Sequence, residues 1–190
     1  MKTKPFLIAT FISTILQSLY YALITGVTLL IMPRMMESLQ DIPSNGGPPP
    51  GLFNFVGISM LTGGIGLVLA PIVYAGTGAL YTWLHHREEQ PVTAEQGAIG
   101  GAAAAFTARF ATGLLIAFGS LVLSNVMYQM MGDVFNSVPG AGPTPFPNPM
   151  FSIFGGLSSV IGGLFSACFG SIIAAALGAL GGSLTGALLK

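Results

Sequence analysis

Three stretches of the chain carry no charge: Phe6–Pro33, Pro43–Leu84 and Val134–Leu189. A fourth, Gly97–Met131, carries one, at Arg109. A helix needs about 20 mostly apolar residues to cross a hydrocarbon core about 30 Å thick, so each stretch predicts one crossing. The crossings fall at about Phe6–Met32, at about Leu52–Leu84, within Gly97–Met131 and within Phe151–Leu189. No turn signal interrupts the last run, which therefore reads as one helix. Pro71 stands mid-run in the second and is the expected kink, because it removes a backbone hydrogen bond and crowds the preceding turn. Pro5 suits the opening turn of the first. That first run is too long for the apolar core of a cleaved leader and reads as a retained helix. The prediction is an all-α integral membrane protein with four transmembrane helices, one membrane domain over residues 1–190.

The last run has a second layer of pattern. One row, four residues apart, is Gly155, Ser159, Gly163, Ala167, Ser171, Ala175, Ala179, Ser183, Ala187. A neighbouring row is Ser158, Gly162, Ser166, Gly170, Ala174, Gly178, Gly182, Gly186. Large apolar residues such as Leu157, Ile161, Phe165 and Phe169 stand between them. Lipid tails are as apolar as leucine, so hydrophobicity does not draw helices together in a bilayer; close backbone approach over small residues does. The second row is the predicted helix-packing face. Its end, Gly178-x-x-x-Gly182-x-x-x-Gly186, resembles the glycine zipper of oligomerising membrane proteins. That resemblance implies tight helix packing or self-association and no particular activity.

Two long-range features organise the crossings. Phe55–Gly64 aligns without gaps on Phe154–Gly163, sharing the Phe, a Gly, a Ser and the closing Gly pair. A Pro/Gly-rich loop precedes each segment, and a Met pair precedes each loop, Met35–Met36 and Met130–Met131. The unit helix, Pro-rich loop, helix is thus used twice, over 5–90 and 97–190, and two crossings per unit make the repeats parallel. The loops fall at about 33–51 and 133–149, where turn or polyproline conformations are expected. They either cap the helix ends or dock a partner. Lys2, Lys4, Arg87 and Lys190 sit on one side and Arg34 on the other. By the positive-inside rule, both termini and the 85–96 link face the cytoplasm. The chain also resembles small Gly- and Ala-rich bacterial membrane proteins, which implies the bacterial cytoplasmic membrane.

Composition agrees with the pattern. Charged residues are 6% and apolar ones 52%, with mean hydropathy +0.78, far from the roughly 25% charge of soluble domains. Few residues offer chemistry. Arg109 is a functional candidate because it is an ionisable group in a transmembrane run. The simpler reading lets Gly97–Ala108 project beyond the hydrocarbon while Arg109 snorkels to the headgroups. Gln17, Asn125 and Gln129 serve as interhelical hydrogen-bonding groups or line a polar path. His85 and His86 are weak candidates for a pigment, haem or metal ligand. They are adjacent, so on a helix they diverge, and Trp83 with Tyr81 reads as an interfacial aromatic belt. Cys168 stands alone and reads as packing.

No phosphate-binding loop, zinc-protease motif, paired-Cys motif or nucleophile elbow is present. The charges lie mostly at helix ends, which leaves almost no groups for acid–base catalysis, and no basic patch addresses nucleic acid. No catalytic residue, metal or cofactor is predicted. The sequence is read as a non-catalytic accessory or assembly subunit among lipid and other membrane subunits. A homo-oligomeric channel or small transporter is the alternative, and a pigment- or haem-binding subunit a further one.

Overall fold

The computed structural model describes residues 3–40, 50–88, 91–137 and 149–189. They are helical almost throughout, without a strand among them, and form α1 (Thr3–Gln40), α2 (Pro50–Arg87), α3 (Ala94–Ser137) and α4 (Pro149–Leu188). Helices are what the composition demands, since hydrocarbon offers no partner to a backbone N–H or C=O. Hydroxyl side chains meet the same demand by bonding back along their own helix. Thr112 Oγ1 donates to the Ala108 carbonyl at 2.8 Å, and Ser171 Oγ donates to that of Ala167 at 2.5 Å, both fully buried.

All four helices contain segments long and apolar enough to cross a membrane: Thr3–Ile31, Gly63–Arg87, Ala94–Leu121 and Gly156–Leu188. At 1.5 Å per residue these measure roughly 38–50 Å, so they tilt or project beyond a core of about 30 Å. Their outward faces carry Leu7, Phe11, Leu67, Phe118, Phe165 and Ile172, all exposed. Water would not tolerate such a surface; lipid does. The architecture is that of a multi-pass helical membrane protein.

The helix ends lie beyond the expected ones. α1 continues past Pro33 to Gln40 and α3 reaches Ser137, so both stretches expected to begin the Pro-rich loops are helical. Met, Glu, Leu and Gln are good helix formers and outlast one missing N–H. The Pro/Gly-rich cores of the loops, 41–49 and 138–148, lie outside the described residues. α2 runs unbroken through Pro71, and α4 is a single helix. The link between α2 and α3 is short because α3 is capped at once. Gln96 N donates to Thr93 Oγ1 at 3.2 Å and Thr93 N to Gln96 Oε1 at 3.4 Å, a capping box that starts two residues after Pro91.

The helices alternate in direction. α3 and α4 pair antiparallel along most of their length: Gly97 meets Gly182, Gly101 meets Gly178, Gly113 meets Ala167, and Gly163 meets Ala117. α2 runs parallel to α4, with Gly78 on Gly178 and Thr82 on Gly182. α1 packs on α2 and α3; among the described residues it does not meet α4. The termini and the α2–α3 link therefore share one end, here the terminal end.

Candidate functional site

Two features stand out within this bundle: a closed glycine seam and an open cavity. The seam lies toward the terminal end, where α2, α3 and α4 converge. A Cβ on Gly78 would collide with the carbonyl oxygen of Gly178, and one on Gly182 with that of Gly97. A Cβ on Gly178 would stand 2.5 Å from the Gly101 oxygen and 2.6 Å from Ala105 Cβ. These backbones touch, and only glycine allows it. Thr82, fully buried beside them, donates to the Gly182 carbonyl at 3.2 Å and to that of Gly78 at 3.0 Å. The Tyr81 ring occupies the space where a side chain on Gly100 would be.

The predicted packing row divides. Ala174, Gly178, Gly182 and Gly186 are buried in the seam, and Gly170 is half-buried against Arg109. Ser158, Gly162 and Ser166 are exposed instead, with nothing within 4 Å of a Cβ on Gly162. The cause is helical geometry. Residues four apart advance 400°, so an i+4 row drifts about 40° per step around its helix. At Gly163 and Ala167 the other small row faces α3, and the Ser158 row has turned away.

The cavity, of about 590 Å³, lies between α1 and α2. α1 is tight at its start, where Pro5, Ala9 and Ser13 are buried and Ser13 Oγ accepts a 2.8 Å bond from Thr77 Oγ1. One turn on, the packing residues become large and irregular. Gln17, Tyr20 and Tyr21 on α1 face Gly63, Gly66 and Tyr74 on α2, and the space between them is unfilled. Leu16 and Leu69, both exposed, stand at its edge. Gln17 is only 6% exposed; its Nε2 donates to Ser13 Oγ at 3.0 Å, while its Oε1 has no hydrogen-bond partner.

Arg109 stands against the Tyr21 wall of this cavity. Its guanidinium carbon lies 5.5 Å from the Tyr21 ring centre, and a Cβ on Gly170 would be 2.8 Å from its Nε. It is 8% exposed, and its Nε and Nη1 have no hydrogen-bond partner. Its side chain is thus packed within the bundle. Arg109 lies some 22 Å along α3 from Ala94 at 1.5 Å per residue, on the face that meets α1 and α4, where Gly170 leaves room for it. The Tyr74 phenol is within electrostatic reach of it.

The remaining candidates are dispersed. Asn125 and Gln129 belong to α3, but their side chains lie outside the described ones. His85 is buried and stacks on Tyr81 at 5.7 Å, whereas His86 is half-buried. Trp83 is exposed under the Arg87 guanidinium, 4.4 Å from its ring centre, as a belt residue would be. Tyr81 belongs to the seam instead, because two residues along a helix turn a side chain some 200° away. Cys168 is exposed rather than packed within the bundle. Among the described residues no three His, Cys, Asp or Glu side chains form a metal-binding group. Sequence reasoning passed over Tyr20, Tyr21 and Tyr74, although phenols in an apolar run are a signal in themselves: each needs a partner for its hydroxyl. No family model, curated protein or solved structure matches the chain.

Proposed function

We propose that the chain is a non-catalytic subunit that packs against another membrane-protein subunit through the outward small-residue face of α4. The observation that carries this reading is the exposure of Ser158, Gly162 and Ser166. The same row closes the seam further along the helix, and a small-residue face in lipid is a surface on which a helix gains close approach. The two Pro-rich connections and the parallel repeat of helix, loop and helix belong to this proposal as a stiff scaffold that presents α4. So does its setting: a bacterial cytoplasmic membrane with both termini and the α2–α3 link on the cytoplasmic side, where Lys4 and Arg87 lie.

A photocrosslinking residue at position 162, in protein purified gently from its native host, tests the proposal. A defined second subunit, captured from 162 and not from Ile172 and lost in Gly162→Leu, is the expected result. Capture of a second copy of this chain makes the face a homo-oligomer interface. A monomer with no crosslink from 162 overturns the reading. One observation favours a small transporter as the second reading, the cavity lined by Gln17 with Arg109 behind its Tyr21 wall; flux of an amphiphile through reconstituted vesicles would establish it.

A further inference from the structure

We propose that the cavity between α1 and α2 binds one hydrocarbon chain carrying an anionic oxygen head, with the chain among the apolar walls and the head beside Gln17, Tyr21 and Tyr74, drawn there by Arg109. The size fits: about 590 Å³ falls within the roughly 300–1,000 Å³ of small-molecule sites. The walls fit as well, since Ile24, Ala70 and Val73 line the cavity together with the rings of Tyr20, Tyr21 and Tyr74. Its edge between Leu16 and Leu69 lies on the outward surface of helices that cross lipid.

Two unsatisfied polar groups point to the head. Gln17, nine-tenths buried and lining the cavity, has one edge of its amide on Ser13 and the other without a partner. The Ser13 hydroxyl both donates and accepts, so the amide can present either its oxygen or its NH₂ to an occupant. Arg109 is the stronger signal. A guanidinium always carries its proton, and here two of its nitrogens are unpaired behind the Tyr21 ring. No acidic residue occurs in the spans of α1, α2 or α4, or in that of α3 beyond Glu95 near its start. A buried cation without a counter-charge is costly. In a low-dielectric interior its field crosses the ring to the cavity with little screening, so an anion there is favoured over a neutral group of the same shape. A fatty-acid carboxylate and a phospholipid phosphodiester share this chemistry.

The test uses the full chain in phosphatidylcholine nanodiscs, offered palmitate, phosphatidylglycerol or hexadecanol, with retained ligand read by native mass spectrometry. Palmitate or phosphatidylglycerol should be retained above hexadecanol, and whichever prevails identifies the head as free carboxylate or lipid phosphate. Arg109→Gln should lower that retention by about tenfold or more, the scale of a lost charge-assisted interaction, while Arg109→Lys keeps most of it. Gly63→Leu fills the cavity from a position with nothing within 4 Å and should abolish retention while the helical circular dichroism stays unchanged. Equal retention of hexadecanol, retention unaffected by Arg109→Gln and Gly63→Leu, or no retention of any probe overturns the proposal. The inference is independent of the partner proposed for α4: Gly162→Leu should remove that partner and leave ligand retention intact.

Discussion

The α3–α4 pair and the α1–α2 pair are both antiparallel and apolar, yet one is closed and the other holds a cavity. In α3–α4 the facing residues are small on both sides: Gly97 on Gly182, Gly101 on Gly178, Gly113 on Ala167. In α1–α2 small residues face large ones, with Gly66 under the Tyr20 hydroxyl and Gly63 facing nothing. Glycine therefore has opposite effects in the two halves. Matched by a second small residue it lets backbones meet, and at Gly63, where no side chain fills in, it leaves space. Dispersion and close packing hold the first pair together; the second forgoes part of that stabilisation where the cavity opens around Gln17, Tyr20 and Tyr21.

Substitutions that add volume to each half break or sharpen the contrast. Gly178→Leu should have the largest effect, because its first added carbon already meets the backbone of Gly101 and the Ala105 methyl. Overpacking costs about 1–3 kcal/mol and more where backbones must part, so the bundle should lose most of its resistance to denaturing detergent. Gly170→Leu should be milder, near the lower end of that roughly 1–3 kcal/mol range, because its neighbour is the flexible Arg109 side chain rather than a backbone. Equal losses at 170 and 178 would contradict this account of the seam. Thr93→Ala removes the capping hydroxyl of α3 and should cost about 1 kcal/mol, read as faster amide exchange confined to its first turn. Thr82→Val deletes the bond to Gly182 and should cost about 0.6 kcal/mol, a typical interhelical hydrogen bond in a membrane.

The sequence makes one half of this contrast easier to read than the other. Apolar runs with at most one charge mark four crossings, and the small rows of α4 mark a helix that is approached closely. Which face of α4 is covered was not legible. The 40° drift per step exchanges one row for the other near Ala167, and the position of that exchange depends on the crossing of α3 and α4. The matching glycines on α3, Gly97 and Gly101, stand four apart and lead to Ala105, a short rhythm among many small residues, and Gly78 on α2 has no such neighbours four residues away. The Thr93–Gln96 capping box went unread, although Thr-x-x-Gln after Pro91 is a signature of a helix start. Arg109 was visible as a lone charge, but its depth was not: α3 begins at Ala94 and carries it well into the bundle. The cavity arises from tertiary arrangement alone, since nothing local distinguishes Gly63, which faces open space, from Gly178, which faces a backbone.

That last pair gives the most direct test of the contrast. Gly63→Leu and Gly178→Leu, made in the full chain and reconstituted in identical nanodiscs, can be compared by their resistance to unfolding in denaturing detergent. The same side chain should leave the protein at wild-type resistance, or slightly above it, when it enters the α1–α2 cavity, and should collapse that resistance when it enters the α3–α4 seam. Equal losses at both positions, or the larger loss at Gly63, would show that the two halves are packed alike and would contradict the account.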